Sequence, residues 1–175
     1  MRQINKVAMT TISAALALTL TSCSGAGPDA ATRMITRVTD GAEAVIDTNG
    51  YDIRISNLLL VATGDSTTVL VGNIVNRSKE QDQLLAISTR TTLGTITGQT
   101  ILNANQPIQF EGSSANAKVI FKGEDMVPGT NVQVALGFAR AGQVYLNLIV
   151  RDTKDIYSGV TANPLVAPSA TPTAK

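Results

Sequence analysis

The sequence contains no histidine and no tryptophan, and it has only three tyrosines and three phenylalanines. Histidine is the side chain used most often for proton transfer near neutral pH and for binding metal ions. No spacing of lysines or carboxylates suggests a substitute catalytic pair, and no glycine-rich phosphate-binding motif is present. We therefore predict that the protein is not an enzyme and that it has no cofactor.

Cysteine is also scarce, because Cys23 is the only one in the chain. A single cysteine excludes an internal disulfide, although disulfides are common in exported proteins. The chain also has no large excess of positive or negative charge. It has 14 basic and 13 acidic residues, and residues 23–175 alone have 12 basic and 13 acidic residues. A nucleic-acid-binding protein needs a basic face, so we predict no nucleic-acid partner.

The first 22 residues have the pattern of a secretory signal. Arg2 and Lys6 precede an uncharged, apolar run over residues 7–20, which is typical of an export signal. A membrane-spanning helix needs about 20 predominantly apolar residues. This run is shorter and includes four serine or threonine residues, so it indicates a cleaved signal rather than a permanent span.

The segment Leu20-Thr21-Ser22-Cys23 resembles the bacterial lipobox, in which a leucine and two small residues precede an obligatory cysteine. The resemblance implies cleavage between Ser22 and Cys23, a diacylglyceryl group on the Cys23 thiol, and acylation of the new amino terminus, for example with palmitate. Two or more acyl chains anchor a protein stably. We expect a lipoprotein on the extracytoplasmic face of the cell membrane; the alternative is a secreted protein whose signal ends near a cysteine.

The remaining chain divides by composition into three parts. Residues 23–41 are predicted to be a linker, and residues 42–161 are rich in valine, isoleucine, leucine and threonine, which favour β-strands. Residues 162–175 hold prolines among alanine, threonine and serine. Such a segment buries too little apolar surface to fold, so it is predicted to be a disordered tail.

The 42–161 segment has an alternation of apolar and polar residues that is interrupted by turn signals, which indicates an antiparallel, Ig-like β-sandwich. The apolar run 58–61 predicts a strand that passes from half-buried to buried. A change of phase at Gly72-Asn73 predicts a β-bulge. The segments 131–140 and 143–150 alternate most clearly and predict the best hairpin of the chain.

Three stretches together resemble the PCuAC copper-chaperone domain and related actinobacterial lipoproteins of the Lpq type. The resemblance covers residues 42–151 and implies a cupredoxin-like β-sandwich. The stretches are Val71-Gly72-Asn73-Ile74-Val75-Asn76-Arg77 with Asp82 and Leu84; Val119-Ile120-Phe121-Lys122-Gly123; and Pro128-Gly129 with Val132-Gln133-Val134-Ala135-Leu136-Gly137-Phe138 and Gly142-Gln143-Val144.

The copper ligands of that family are missing from this sequence. Copper-binding members hold Cu(I) with one histidine and several methionines, and the resemblance places their His-x-Met pair at Lys118 and Ile120. A protonated lysine has no free lone pair, and isoleucine has no donor atom. Only Met34 and Met126 remain after the signal, and Met126 is interpreted as an ordinary loop or rim residue. We therefore predict no metal site.

The first functional hypothesis is a non-enzymatic, lipid-anchored binding or scaffolding domain whose expected partner is another envelope component, namely a protein. The alternatives are a copper chaperone with a degenerate or shared metal site, and a lipid- or glycan-binding domain, which would need a large apolar cavity or an exposed aromatic platform. Functional residues often lie on loops of a rigid scaffold. The predicted partner-contact loop contains Arg77, Lys79, Glu80 and Asp82; the simpler interpretation is a solvated hairpin loop.

Overall fold

The computed structural model describes residues 40–48, 50–123 and 126–165. The chain divides after Val38 into two units, and every described residue belongs to the second unit. The predicted signal, the cleavage and lipid site at Ser22 and Cys23, most of the predicted linker and residues 166–175 of the predicted tail lie outside the described residues.

The described residues form ten β-strands and one short 3₁₀ turn, Asp155–Tyr157, which confirms the predicted all-β fold. They include no helix long and apolar enough to cross a bilayer. The strands are β1 (Ala42–Thr48), β2 (Tyr51–Gly64), β3 (Thr67–Asn76), β4 (Asp82–Ser88), β5 (Thr95–Gly98), β6 (Ile101–Leu102), β7 (Pro107–Gln109), β8 (Ala117–Lys122), β9 (Asn131–Phe138) and β10 (Gly142–Arg151).

The strands make one curled sheet in the order β5-β8-β3-β2-β10-β9-β4-β6, with β1 added to β2 and β7 added to β3. Residues from both halves of this sheet share one main core, which gives the predicted cupredoxin-like sandwich. The sheet is mixed rather than antiparallel throughout, because Val150 and Arg151 pair in parallel with Leu60 and Val61. A parallel pair needs a long crossover connection, and β3 to β9 lie between these two strands.

The alternation of side chains along β8 shows how the sequence builds the core. Val119 and Phe121 are fully buried in the main core, whereas Ile120 belongs to a separate apolar cluster on the opposite face. Successive side chains of a strand point to opposite faces, so Lys118 shares the face of Ile120. The β9–β10 hairpin is also as predicted, since its register runs unbroken from Gly142 opposite Phe138 to Ile149 opposite Asn131.

The predicted bulge is present, but the extra residue lies on the partner strand. Ser56 pairs with Asn73 and Leu59 with Val71, so Asn57 and Leu58 of β2 face Gly72 alone. Gly72 has a φ of +132°, and a Cβ there would lie 2.7 Å from the Asn57 carbonyl oxygen. Only glycine tolerates both the positive φ and this close approach.

A C-terminal strap, residues 152–165, covers the outer face of β2, β3 and β8. Its Val160 packs against a second apolar cluster, and Tyr157 and Ala162 lie at the edge of that cluster. The Leu165 side chain reaches the backbone at Gly98. Ala162 and Leu165, which the prediction assigns to the tail, therefore lie against the domain: Ala162 packs on the apolar cluster and Leu165 lies near Gly98. The other members of the cluster are Leu59, Val61, Val69 and Ile120.

The end of the predicted linker is also attached to the domain. The Asp40 carboxylate lies 2.7 Å from the Arg151 guanidinium, and the Gly41 backbone N–H donates to Asn57 Oδ1 at 3.1 Å. Gly41 is buried. Asp40 and Gly41, which the prediction assigns to the linker, are therefore held by Arg151 beside the strap and by the Asn57 side chain at the bulge.

Candidate functional site

The two positions that the resemblance assigns to copper ligands lie side by side on the covered face of β8. Lys118 is 6% exposed and Ile120 is 5% exposed. The Lys118 Nζ lies 3.5 Å from Glu111 Oε2, while Ile120 packs with Leu59, Val61 and Val160. A buried charge normally requires a partner of opposite charge, and Glu111 is the partner here.

This arrangement does not fit Cu(I). The Lys118 ammonium group is a cation with no lone pair, and it would repel a second cation. Met126, interpreted from the sequence as an ordinary loop or rim residue, lies between β8 and β9 outside both strands, but it is 6% exposed and packs in the main core rather than at a rim. Met34 lies outside the described residues, and within them no group of three or more His, Cys, Asp or Glu is placed to hold a metal ion.

The predicted partner-contact loop between β3 and β4 presents three charged side chains to solvent. Arg77, Lys79 and Glu80 are exposed, whereas Asp82 is only 4% exposed. The Asp82 carboxylate accepts backbone hydrogen bonds from Arg140 at 2.9 Å and Ala141 at 2.9 Å. Asp82 thus holds the turn between β9 and β10, and its side chain is not available to a partner.

Arg140 holds the exposed part of the loop through contacts with two of its residues. The Arg140 guanidinium pairs with the Glu80 carboxylate and donates to the Gln81 carbonyl at 3.3 Å. The hydrogen bond to Glu80 and its negative charge raise the pKa of Arg140 above its ordinary value. The Arg140 guanidinium carbon also lies 5.7 Å from the centre of the Tyr51 ring, within the range of a cation–π contact.

Asn76 is a second support of the loop that the sequence alone did not reveal. Its side-chain nitrogen donates to the Glu80 carbonyl at 2.7 Å and to the Leu102 carbonyl at 2.9 Å, and its Oδ1 accepts from the Ser78 backbone N–H at 3.0 Å. An asparagine that ends a strand and is followed two residues later by serine is a local turn signal. Because Asn76 and Asp82 fix the loop at both ends, Arg77, Lys79 and Glu80 form a preorganised surface.

The outer face of β4, β9 and β10 differs from the covered face because no described segment packs on it. Its side chains include Gln133, Gln143, Tyr145 and Asn147, all of them exposed. Two shallow cavities lie on this face beside the turn that follows β4. The face was not singled out by sequence, since its residues occur as ordinary polar positions of alternating strands.

Comparisons with known proteins identify the fold. No protein-family profile matches the chain, and no curated protein matches it. Among solved structures, the apo PCuAC domain from PmoF1 has a TM-score of 0.52 and 18% identity, covering 63% of this chain and 99% of that chain. The copper-bound PCuAC domain from PmoF2 has a TM-score of 0.52 and 16% identity, covering 63% and 98%.

These likenesses confirm that the domain has the PCuAC-related fold that the three sequence stretches predicted. The apo PCuAC domain from PmoF2 agrees, with a TM-score of 0.52, 16% identity, and coverage of 65% of this chain and 96% of that chain. At this level of identity the likeness concerns the fold, so the role of this chain has to be argued from its own residues.

Proposed function

We propose that this protein is a non-enzymatic lipoprotein whose β-sandwich binds or scaffolds another envelope component on the extracytoplasmic face of the cell membrane. The proposal is supported by the two residues of β8 at the positions that the resemblance assigns to copper ligands. Lys118 is paired with Glu111, and Ile120 is packed beneath the strap. The strand assigned to metal binding by the resemblance therefore contributes a buried ion pair and apolar packing, and recognition falls to exposed surfaces.

The surface assigned to a protein partner is the loop that carries Arg77, Lys79 and Glu80. These side chains are exposed, and Asn76 and Asp82 hold the loop in one conformation. A preorganised loop loses less conformational entropy on binding. The geometry therefore favours this loop over a flexible segment as the point of contact.

The experiment places a photo-crosslinking amino acid at residue 79 in living cells, with residue 114 as the control because Ser114 is exposed on a different loop. We expect one discrete crosslinked protein from residue 79 and none from residue 114. The absence of a crosslink at residue 79, or the same species from both positions, contradicts the assignment of the loop.

Anchoring is tested separately at Cys23. The support for it is the lipobox-like segment Leu20-Thr21-Ser22-Cys23 after an apolar signal. We expect Cys23→Ser to move the protein from the membrane fraction to the soluble fraction, with Ser22→Thr as the control that keeps the cysteine. Mass spectrometry of the wild-type amino terminus should show the acyl chains; an unmodified cysteine would contradict the anchor.

The second candidate function is a copper chaperone with a degenerate or shared site, and the fold favours it because one of the similar structures is a copper-bound PCuAC domain. Titration of the exported protein with Cu(I) under reducing conditions separates the two candidates. The first predicts no stoichiometric binding. Tight binding of one equivalent that is lost in Met34→Leu or Met126→Leu would establish the second candidate instead.

A further inference from the structure

The open face of β4, β9 and β10 carries a polar groove made of two adjoining cavities of about 460 and 190 Å³. Both cavities are lined by Thr89, Arg90 and Gln133, which shows that they are continuous. We call this feature the amide groove, because four side-chain amides line it. The amides belong to Asn131, Gln133, Gln143 and Asn147.

The floor of the amide groove has no free backbone groups to offer as a strand-pairing edge. β9 is paired with β10 on one side and with β4 on the other. The floor of the groove contains small residues on β9: Ala135 is paired with Tyr145, and Gly137 is paired with Gln143. A ligand must therefore be recognised by side chains above the sheet, and the small residues leave room for it between them.

Tyr145 provides the one aromatic surface of the groove. The residue is 60% exposed, and its hydroxyl donates to Gln143 Oε1 at 3.1 Å. Because Gln143 is two residues earlier on the same strand and the same face, this bond directs the ring along β10, and the residue remains exposed. A ring held in this way can stack on a flat, weakly polar surface of a ligand.

The amides supply hydrogen bonds around the ring. Within the described part of the chain, the side chains of Asn131, Gln133 and Asn147 have no hydrogen-bond partner. Each amide can donate two hydrogen bonds and accept through its oxygen. The groove therefore combines an open aromatic ring with several neutral donors and acceptors.

Arg90 is the only charged residue that lines the groove, and no carboxylate lines it. It has no ion-pair partner among the described residues. The turn that carries Arg90 is closed by two hydrogen bonds: the Thr92 backbone N–H donates to Thr89 Oγ1 at 2.9 Å, and the Thr89 backbone N–H donates to the Thr92 carbonyl at 2.9 Å. Arg90 thus adds a cation beside the amides, and its planar guanidinium matches a carboxylate or a phosphate.

We infer that the amide groove binds an oligosaccharide that carries an anionic group, with a sugar ring on Tyr145 and the anion on Arg90. Hydroxyl groups of a sugar match neutral amides, which both donate and accept. A nucleic acid would require several cations along its backbone, and an added peptide strand would require a free edge. This inference goes beyond the proposed function, because it concerns a different surface from the 77–80 loop.

The test uses the exported chain carrying Cys23→Ser and a printed array of defined oligosaccharides, which are neutral, uronic-acid-containing or phosphodiester-containing. We expect binding to anionic oligosaccharides, and the carboxylate and phosphate arms of the array identify which anion is preferred. Tyr145→Ala should weaken binding about tenfold or more, whereas Tyr145→Phe should retain most of it because the ring is kept.

Arg90→Gln should remove the preference for anionic over neutral oligosaccharides, a change of about tenfold or more. Lys122→Gln is the matched control, since it removes one positive charge from an exposed site outside both the groove and the 77–80 loop. Failure of the wild-type protein to retain any oligosaccharide would overturn the inference, as would an equal loss from Lys122→Gln and Arg90→Gln. Neither result would bear on crosslinking at residue 79 or on the lipid at Cys23.

Discussion

The two outer faces of this sandwich are built from the same kind of strand, yet one is covered and the other is open. The face of β2, β3 and β8 presents Leu59, Val61 and Val69, all fully buried beneath the strap. The face of β9 and β10 presents Gln133, Tyr145 and Asn147 to solvent. Burial of apolar surface is favourable by about 25 cal/mol per Å², so the first face requires a cover and the second does not.

The difference teaches where recognition can reside in this fold. The covered face includes the positions at which the resemblance places metal ligands, and here they carry a buried ion pair and an isoleucine. The open face keeps exposed polar side chains above a paired sheet. In this molecule, an apolar cluster therefore lies on one outer side of the sandwich and exposed polar side chains lie on the other.

The largest expected effect comes from creating a cavity in the apolar cluster of the covered face. Leu59→Ala should lower the free energy of unfolding by about 3 kcal/mol, because it leaves a cavity among buried side chains. Leu85→Ala is the matched control on β4, where the leucine is 59% exposed, and it should change stability by less than about 0.5 kcal/mol. Urea unfolding measures both; equal losses would refute the distinction between the faces.

Glycines on the two halves of the sheet should respond differently to a methyl group. Gly72→Ala should cost about 2 kcal/mol, because it strains a positive φ and drives Cβ against the Asn57 carbonyl. Gly137→Ala on β9 meets nothing closer than the Ala86 carbonyl oxygen at 3.9 Å and should stay within about 0.5 kcal/mol. Thermal unfolding of the two variants measures both stability changes. If Gly72→Ala were as stable as the wild type, the bulge would be able to relax around the added methyl group.

Removing the strap converts the covered face into an exposed one. Deletion of residues 153–175 should lower the free energy of unfolding by about 1.5 kcal/mol, since Val160 no longer covers the apolar cluster. The exposed cluster should also bind a hydrophobic dye. Deletion of residues 166–175 alone keeps all the contacts described for the strap and serves as the control. A strap deletion with unchanged stability and no dye binding would show that the face needs no cover.

The smallest effect is the response of the strap to high pH. Burial, followed by the negative charge of Asp40, raises the pKa of Tyr157 above its ordinary value of 10.0. The neutral phenol is therefore favoured in the folded state, so its contribution to stability is complete below about pH 10 and is lost as the pH rises through the raised pKa. The urea midpoint of the wild type should fall between pH 9 and pH 11, and Tyr157→Phe should make this fall smaller. If the fall were the same in Tyr157→Phe, ionisation of Tyr157 would not be its cause.

Much of the fold could be predicted from local pattern. The alternation in β8 and in the β9–β10 hairpin placed side chains on the correct faces, because strand geometry has a period of two. The phase change at Gly72 located the bulge, although only the pairing register shows that the extra residue belongs to β2. The candidate surfaces were harder to predict: Asp82 was assigned to the partner-contact loop, yet three backbone N–H groups from Gln83, Arg140 and Ala141 donate to its carboxylate.

The sequence by itself determined the strands, the main core and the absence of histidine from any site, because these follow from residue type and spacing along the chain. Only the tertiary structure decided that β10 joins β2 in parallel, that the strap closes one face, and that Arg90 stands beside Tyr145 and four amides on the other. Those features depend on contacts between residues far apart in the chain, and local periodicity carries no information about which distant segments will meet.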